Sequence, residues 1–228
     1  MTLILSKPST TGLVVIADTR GSNPVTGEEI QSTSKLILIS NGAIFGISGG
    51  VAYRKDGIFN ITEDLASKLN SLQYFQLTER NIGRLLRIVT CALTSDVNRP
   101  GFVFCIWKNT KKYERIIFEV STDGNLNVNI NGSTSENQQH TAFGNTVVVN
   151  ALASPLPNDS WSMLTNDEQM SMRTLRSSWH LQVDRGETVE YLKRCISLGN
   201  TISERLNFDW IGNNATTFWY DQTSGFIN

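Results

Sequence analysis

Gly12-Leu13-Val14-Val15-Ile16-Ala17-Asp18-Thr19-Arg20 is the stretch whose reading decides the fold. A half-buried strand alternates apolar with polar residues, but Leu13 to Ala17 is apolar throughout. An apolar run of strand length, with Gly12 before it and a polar end after it, fits a strand over Leu13–Thr19 covered on both faces. Its sheet is therefore an inner layer. Upstream, Thr2–Lys7 is β-prone, with Pro8–Thr11 as a turn. Downstream, residues 21–33 are polar, carry Gly21, Pro24 and Gly27, and read as a loop with strand character near its end. Leu36–Ile39, Ser40-Asn41-Gly42 and Ala43–Ser48 then form a hairpin signal, since Asn-Gly suits a type I′ turn between apolar strands.

Helical spacing follows. Ile61, Leu65, Leu69 and Leu72 share one face of a helix over 61–72, and Ile82, Leu85, Leu86, Val89 and Leu93 share one face of a second over 78–93. The two are expected to pack as a pair on a sheet. Strands are predicted at 102–107, 113–121, 126–130 and 141–150, helices from Thr165 to about Val183 and over 186–206, and a last strand at 216–220. Hairpins separating two helical pairs predict an α+β layered sandwich, helices outside two central sheets, rather than alternating βαβ units. The 228 residues read as one domain, 1–228.

A net charge of −1 leaves no electrostatic footprint for nucleic acid or an anionic membrane. No apolar run reaches the length of a membrane span, and no basic, apolar leader follows Met1, so a cytoplasmic location is expected. Cys91, Cys105 and Cys195 lie far apart in apolar patterns and read as reduced core thiols. His140 and His180 are isolated and give no metal-ligand spacing. No phosphate-binding loop is present, and no cofactor or metal is expected.

The chemistry lies at Met1-Thr2. A small second residue permits removal of Met1, which leaves a threonine with both a hydroxyl and an α-amine. Such a residue carries its own general base: the amine titrates near about 7.7–8.0 and takes the hydroxyl proton during attack on a carbonyl. A neighbouring cation lowers that value and keeps the amine neutral.

Thr2, Gly12, Asp18, Arg20, Lys35 and Ser48-Gly49-Gly50 together resemble the proteasome β-subunit family of N-terminal nucleophile hydrolases, including its bacterial HslV branch. The likeness is clearest over Thr2 to Val51; Lys35 requires one extra residue in the loop after Arg20. The resemblance implies a four-layer αββα sandwich. It implies Thr2 as nucleophile, Lys35 as the cation beside the amine, Asp18 as its orienting carboxylate, and the Gly49 N–H as oxyanion donor. Gly21, Thr33, Ile37, Ile47 and Val51 would line a pocket for small or apolar side chains. Arg20, Asn145 (in Gly144-Asn145-Thr146, where the family has Gly-Ser-Gly) and Asp209 (one residue out of register) would support the site. Residues 154–183 read as an insertion at a subunit contact, with Trp161, Trp179 and Trp210 as candidate contact or core residues. The implied activity is a threonine peptidase acting on peptides or unfolded proteins, in a homo-oligomeric ring served by an ATP-driven unfoldase. Its rivals are an amidohydrolase for a small amide and a non-catalytic assembly subunit of the same fold.

Overall fold

The run that opens the sequence reading forms the centre of a sheet. In a computed structural model, which describes residues 2–22, 29–30, 34–39, 43–48, 51–54, 57–73, 78–92, 102–108, 114–120, 126–132, 141–144, 164–178, 181, 183–205, 211–221 and 225–227, the fold is mixed α+β, with antiparallel sheets packed against helices. The chain divides into two compact units, Met1–Ser34 with Ser135–Asn228, and Lys35–Thr134.

In the first unit, β1 (Leu3–Ser9) and β2 (Gly12–Asp18) form a hairpin closed by Thr10 and Thr11. Together with β12 (Thr141–Gly144), β13 (Ala215–Asp221) and β14 (Gly225–Ile227) they make a five-stranded sheet ordered β12-β1-β2-β13-β14. Every residue of β1 and β2 is buried, as a strand covered on both faces requires. Leu3, Leu5, Val14 and Ile16 lie on one face of the hairpin. They form a core with Leu164, with Met172 and Leu175 of α3 (Asn166–Ser178), and with Leu192, Cys195, Ile196 and Ile202 of α4 (Arg185–Arg205). At about 2 kcal/mol for each fully buried aliphatic side chain, this face contributes substantially to the stability of the unit.

The helix starts are chemically specified. Thr165 and Glu168 form a reciprocal capping box on α3: the Thr165 N–H donates to Glu168 Oε2 at 2.7 Å, and the Glu168 N–H donates to Thr165 Oγ1 at 3.3 Å. Asp184 caps α4, accepting from the Glu187 N–H at 2.9 Å. Helix α3 ends at Ser178, short of the expected Val183. The hydroxyls of Ser177 and Ser178 donate back to the Thr174 carbonyl, a local alternative to continuing the helix.

The second unit holds a five-stranded sheet ordered β11-β10-β9-β6-β5, from β5 (Leu36–Ile39), β6 (Ala43–Ser48), β9 (Phe102–Lys108), β10 (Glu114–Val120) and β11 (Leu126–Gly132). Helices α1 (Ile61–Asn70) and α2 (Glu79–Ala92) pack on each other, α1 against β5 and α2 against β11. The expected helix over 61–72 closes at Asn70, and its last carbonyls are taken by Ser71 and Leu72 N–H groups bonding to Lys68 and Leu69. Thr78 Oγ1 caps α2 by accepting from the Asn81 N–H at 3.3 Å.

Four features differ from the sequence reading. Pro8 lies inside β1 rather than in a turn, paired with Leu13. In a hairpin closed by Ser9 and Gly12, the next pair is not the hydrogen-bonded one, so the missing proline N–H faces β12. The Pro8–Leu13 pair therefore costs the β1–β2 ladder no bond. The short pairs β3 (Gly21–Ser22) with β4 (Glu29–Ile30) and β7 (Val51–Arg54) with β8 (Gly57–Asn60), and the added strand β14, were too brief to show a period of two. Residues 145–150 of the expected strand at 141–150 lie outside the described residues. Among the described residues no helix is long and apolar enough to cross a membrane.

Cys195 is buried on α4, within hydrogen-bonding reach of the Tyr191 hydroxyl, which itself donates to the Leu175 carbonyl at 2.6 Å. Burial pushes its thiol from 9.0 up to about 12. A folded-state value above the unfolded one means that this group's contribution is complete below 9.0 and lost as pH rises toward 12. The thiol is therefore expected to resist iodoacetamide at about pH 8 in the folded protein and to react once the chain is unfolded in urea. Peptide mapping of the alkylated Cys195 checks this; rapid alkylation of the folded chain would contradict it.

Candidate active site

Thr2 directly precedes β1 and is 4% exposed. The next peptide group is gripped by a side chain at the end of β2: the Leu3 N–H donates to Asp18 Oδ1 at 2.7 Å. The other oxygen of the same carboxylate, Oδ2, accepts from the Gly212 N–H at 3.2 Å. Asp18 is fully buried. A carboxylate accepts at both oxygens, so one side chain ties together the start of β1, the end of β2 and the loop before β13. Hydrogen bonds to a charged acceptor contribute about 1.5–3 kcal/mol each.

The loop is built for close approach. A Cβ on Gly212 would lie 2.7 Å from Arg20 Cβ, so only glycine fits without movement. Thr19 N–H donates to the Asn214 carbonyl at 3.0 Å, extending the β2–β13 pairing past Asp18 and Ala215. Beside these contacts lies a polar cleft of about 210 Å³ lined by Thr19, Arg20, Asn200, Glu204, Gly212 and the neighbouring asparagines. Asn200 is buried, and its amide donates to Glu204 Oε1 at 2.8 Å.

Lys35 belongs to the second unit, just before β5, and is 5% exposed. Its carbonyl accepts from the Ile47 N–H at 3.0 Å, extending the β5–β6 ladder by one bond. Cross-strand partners share a face, so Lys35, Ile37, Phe45 and Ile47 lie on one face of that sheet. Ile47 is buried and Ile37 half-buried.

The structure thus brings together Thr2, Asp18 and Arg20 in one unit, and Lys35, Ile37 and Ile47 in the other. Gly21 opens β3 and is half-buried; Val51 opens β7. Thr33, Gly49, Asn145, Asp209, Trp161, Trp179, Trp210, Cys105's and Cys91's side chains, and both histidines lie outside the described residues. Among the described residues no group of three His, Cys, Asp or Glu could hold a metal ion. Sequence reading did not single out the Leu3 amide, Asn200, Glu204 or the Asn213-Asn214 loop. Only the Gly-Asn-Asn run at 212–214 carries a local signal, that of a turn. No protein-family model matches the chain, and no curated relative matches it.

Asp18→Asn replaces one acceptor by an amide NH₂, leaving either the Leu3 or the Gly212 N–H facing a donor. The expected loss is about 1–3 kcal/mol of folding stability. Equilibrium urea unfolding measures it, and a midpoint equal to wild type would contradict the double grip.

Proposed function

We propose that the chain is an N-terminal-threonine hydrolase of proteasome β-subunit type, acting as a peptidase in the cytoplasm within a homo-oligomeric ring. The observation that carries this reading is the grip of Asp18 on the amide that follows Thr2. A carboxylate held against the backbone of the proposed nucleophile gives that residue a fixed place beside a buried negative charge. The four-layer αββα arrangement is part of the same proposal. Its support is that each unit supplies a five-stranded sheet with two helices, and that β1 and β2 are buried along their whole length.

In this reading Met1 is removed and the Thr2 amine takes the hydroxyl proton as Oγ1 attacks the scissile carbonyl. The tetrahedral oxyanion is held by the Gly49 N–H. Collapse expels the leaving amine, which takes the proton, and forms an ester on Thr2; water, activated by the same amine, then hydrolyses the ester. Lys35 keeps the amine neutral by its charge, Asp18 orients Lys35, and Arg20, Asn145 and Asp209 support the site. Gly21, Thr33, Ile37, Ile47 and Val51 form the pocket for the residue before the cut, with a weak preference for uncharged apolar side chains. Substrates are peptides or unfolded proteins, delivered by an ATP-driven unfoldase.

One feature favours a second reading, a non-catalytic subunit of the same fold: Asn145 stands where the family has serine, and Asp209 is displaced by one residue. An amidohydrolase for small amides is separated by substrate panels, since fold does not fix substrate. The deciding experiment is labelling by a peptide epoxyketone, which needs both the hydroxyl and the amine. Wild type is expected to lose Met1 and to be modified on Thr2, and Thr2→Ala to be unmodified. Retained Met1, or labelling that survives Thr2→Ala, would refute the assigned nucleophile.

A further inference from the structure

Strand β1 carries a lysine on its most apolar face. Leu3, Leu5 and Lys7 alternate toward α4, and Lys7 is 1% exposed. Its ammonium donates to the Leu181 carbonyl at 2.5 Å and stands 5.3 Å from the centre of the Tyr191 ring. Burial holds its pKa below the ordinary lysine value, only partly offset by the nearby Cys195. A buried charge of this kind is weak as a source of stability, because a methionine of similar length avoids the desolvation cost. Its value must lie elsewhere.

The buried core between the hairpin and its helices is made of Leu, Val, Ile, Met and Cys side chains, with Tyr191 and Trp219 packed against it. The ladders to β12 and β13 and the Asp18 bonds fix the hairpin within its sheet, but apolar contact is non-directional and does little to fix that sheet's axial position against the helices. The Lys7–Leu181 bond is directional. A slip of the sheet against the helices by two residues, about 7 Å, would keep every apolar residue on its face but would carry the ammonium away from Leu181. The Thr10 N–H bonds to the Val183 carbonyl at 2.9 Å, so the same α3–α4 connection holds the hairpin tip as well.

We propose that Lys7 is a positioning residue: it fixes the axial position of the β1–β2 hairpin against the helical layer and thereby sets where Thr2 stands. The consequence for reactivity rests on the proposed role of Thr2; the consequence for the strand does not.

The test uses Lys7→Met in the full chain, with three readouts. Its urea midpoint is expected to equal or exceed that of wild type. Deuterium uptake over residues 2–9 is expected to be about tenfold faster, as for a locally loosened strand. Epoxyketone labelling of Thr2 is expected to be about tenfold slower, within the 10²-fold that a 1 Å misplacement can cost. A merely structural lysine would instead move stability and exchange together. Unchanged uptake over 2–9 in a stably folded variant overturns the proposal, as does a variant that fails to fold, because the charge would then be a stability element. Faster uptake with unchanged labelling overturns the link to Thr2. Should wild type not label at all, the hydrolase reading falls, and the exchange comparison alone decides the role of Lys7.

Discussion

The carboxylate of Asp18 is the point on which the first unit depends. Its two oxygens accept backbone N–H groups from Leu3 and Gly212, residues far apart in the chain, and its own backbone belongs to β2. A buried carboxylate is costly unless its lone pairs are filled, and here backbone amides fill both oxygens. The cost of burial and the gain of order are thus set at one residue. The reward is a fixed origin for β1, and so for Thr2. Gly212 is part of the same device, since the loop reaches the carboxylate only where no Cβ meets Arg20.

Along β1 the physics changes from polar to apolar and back. Asp18 holds the start, Leu3 and Leu5 supply non-directional burial, and Lys7 with Thr10 holds the end against the α3–α4 connection. Apolar packing stabilises the hairpin; the polar contacts at its two ends say where along its axis it belongs. In the second unit Lys35 is placed by a comparable device, a backbone bond to Ile47 that continues the β5–β6 ladder.

Much of this frame was legible in the sequence wherever one local rule dominated. Leu13 to Ala17 showed two-sided burial because nothing polar interrupts it, and Leu36–Ile39 with Ala43–Ser48 showed a hairpin because Asn-Gly allows few alternatives. Leu65, Leu69 and Ile82 share helical faces by their spacing and are buried. The short strands β3, β4, β7, β8 and β14 carried no such signal, and Pro8 passed for a turn because its tolerance in β1 depends on which pairs of the hairpin are hydrogen-bonded. Thr2, Asp18, Arg20 and Lys35 could be selected as a pattern of residue types. The Asp18–Gly212 contact could not, because it exists only after the loop before β13 has folded back onto β2. Lys7 was hidden for a related reason: a lysine near a strand end looks solvated until α4 covers it.

In the proposed function, an α-amine on Thr2, its charge suppressed by a neighbouring ammonium, acts as the base for its own hydroxyl. Titration of the ¹⁵N-labelled Thr2 amine by NMR, in wild type and in Lys35→Met, tests it most directly. The account predicts a wild-type midpoint clearly below the ordinary α-amine range of about 7.7–8.0, and a return to that range in the variant. An ordinary midpoint that Lys35→Met leaves unmoved would contradict it.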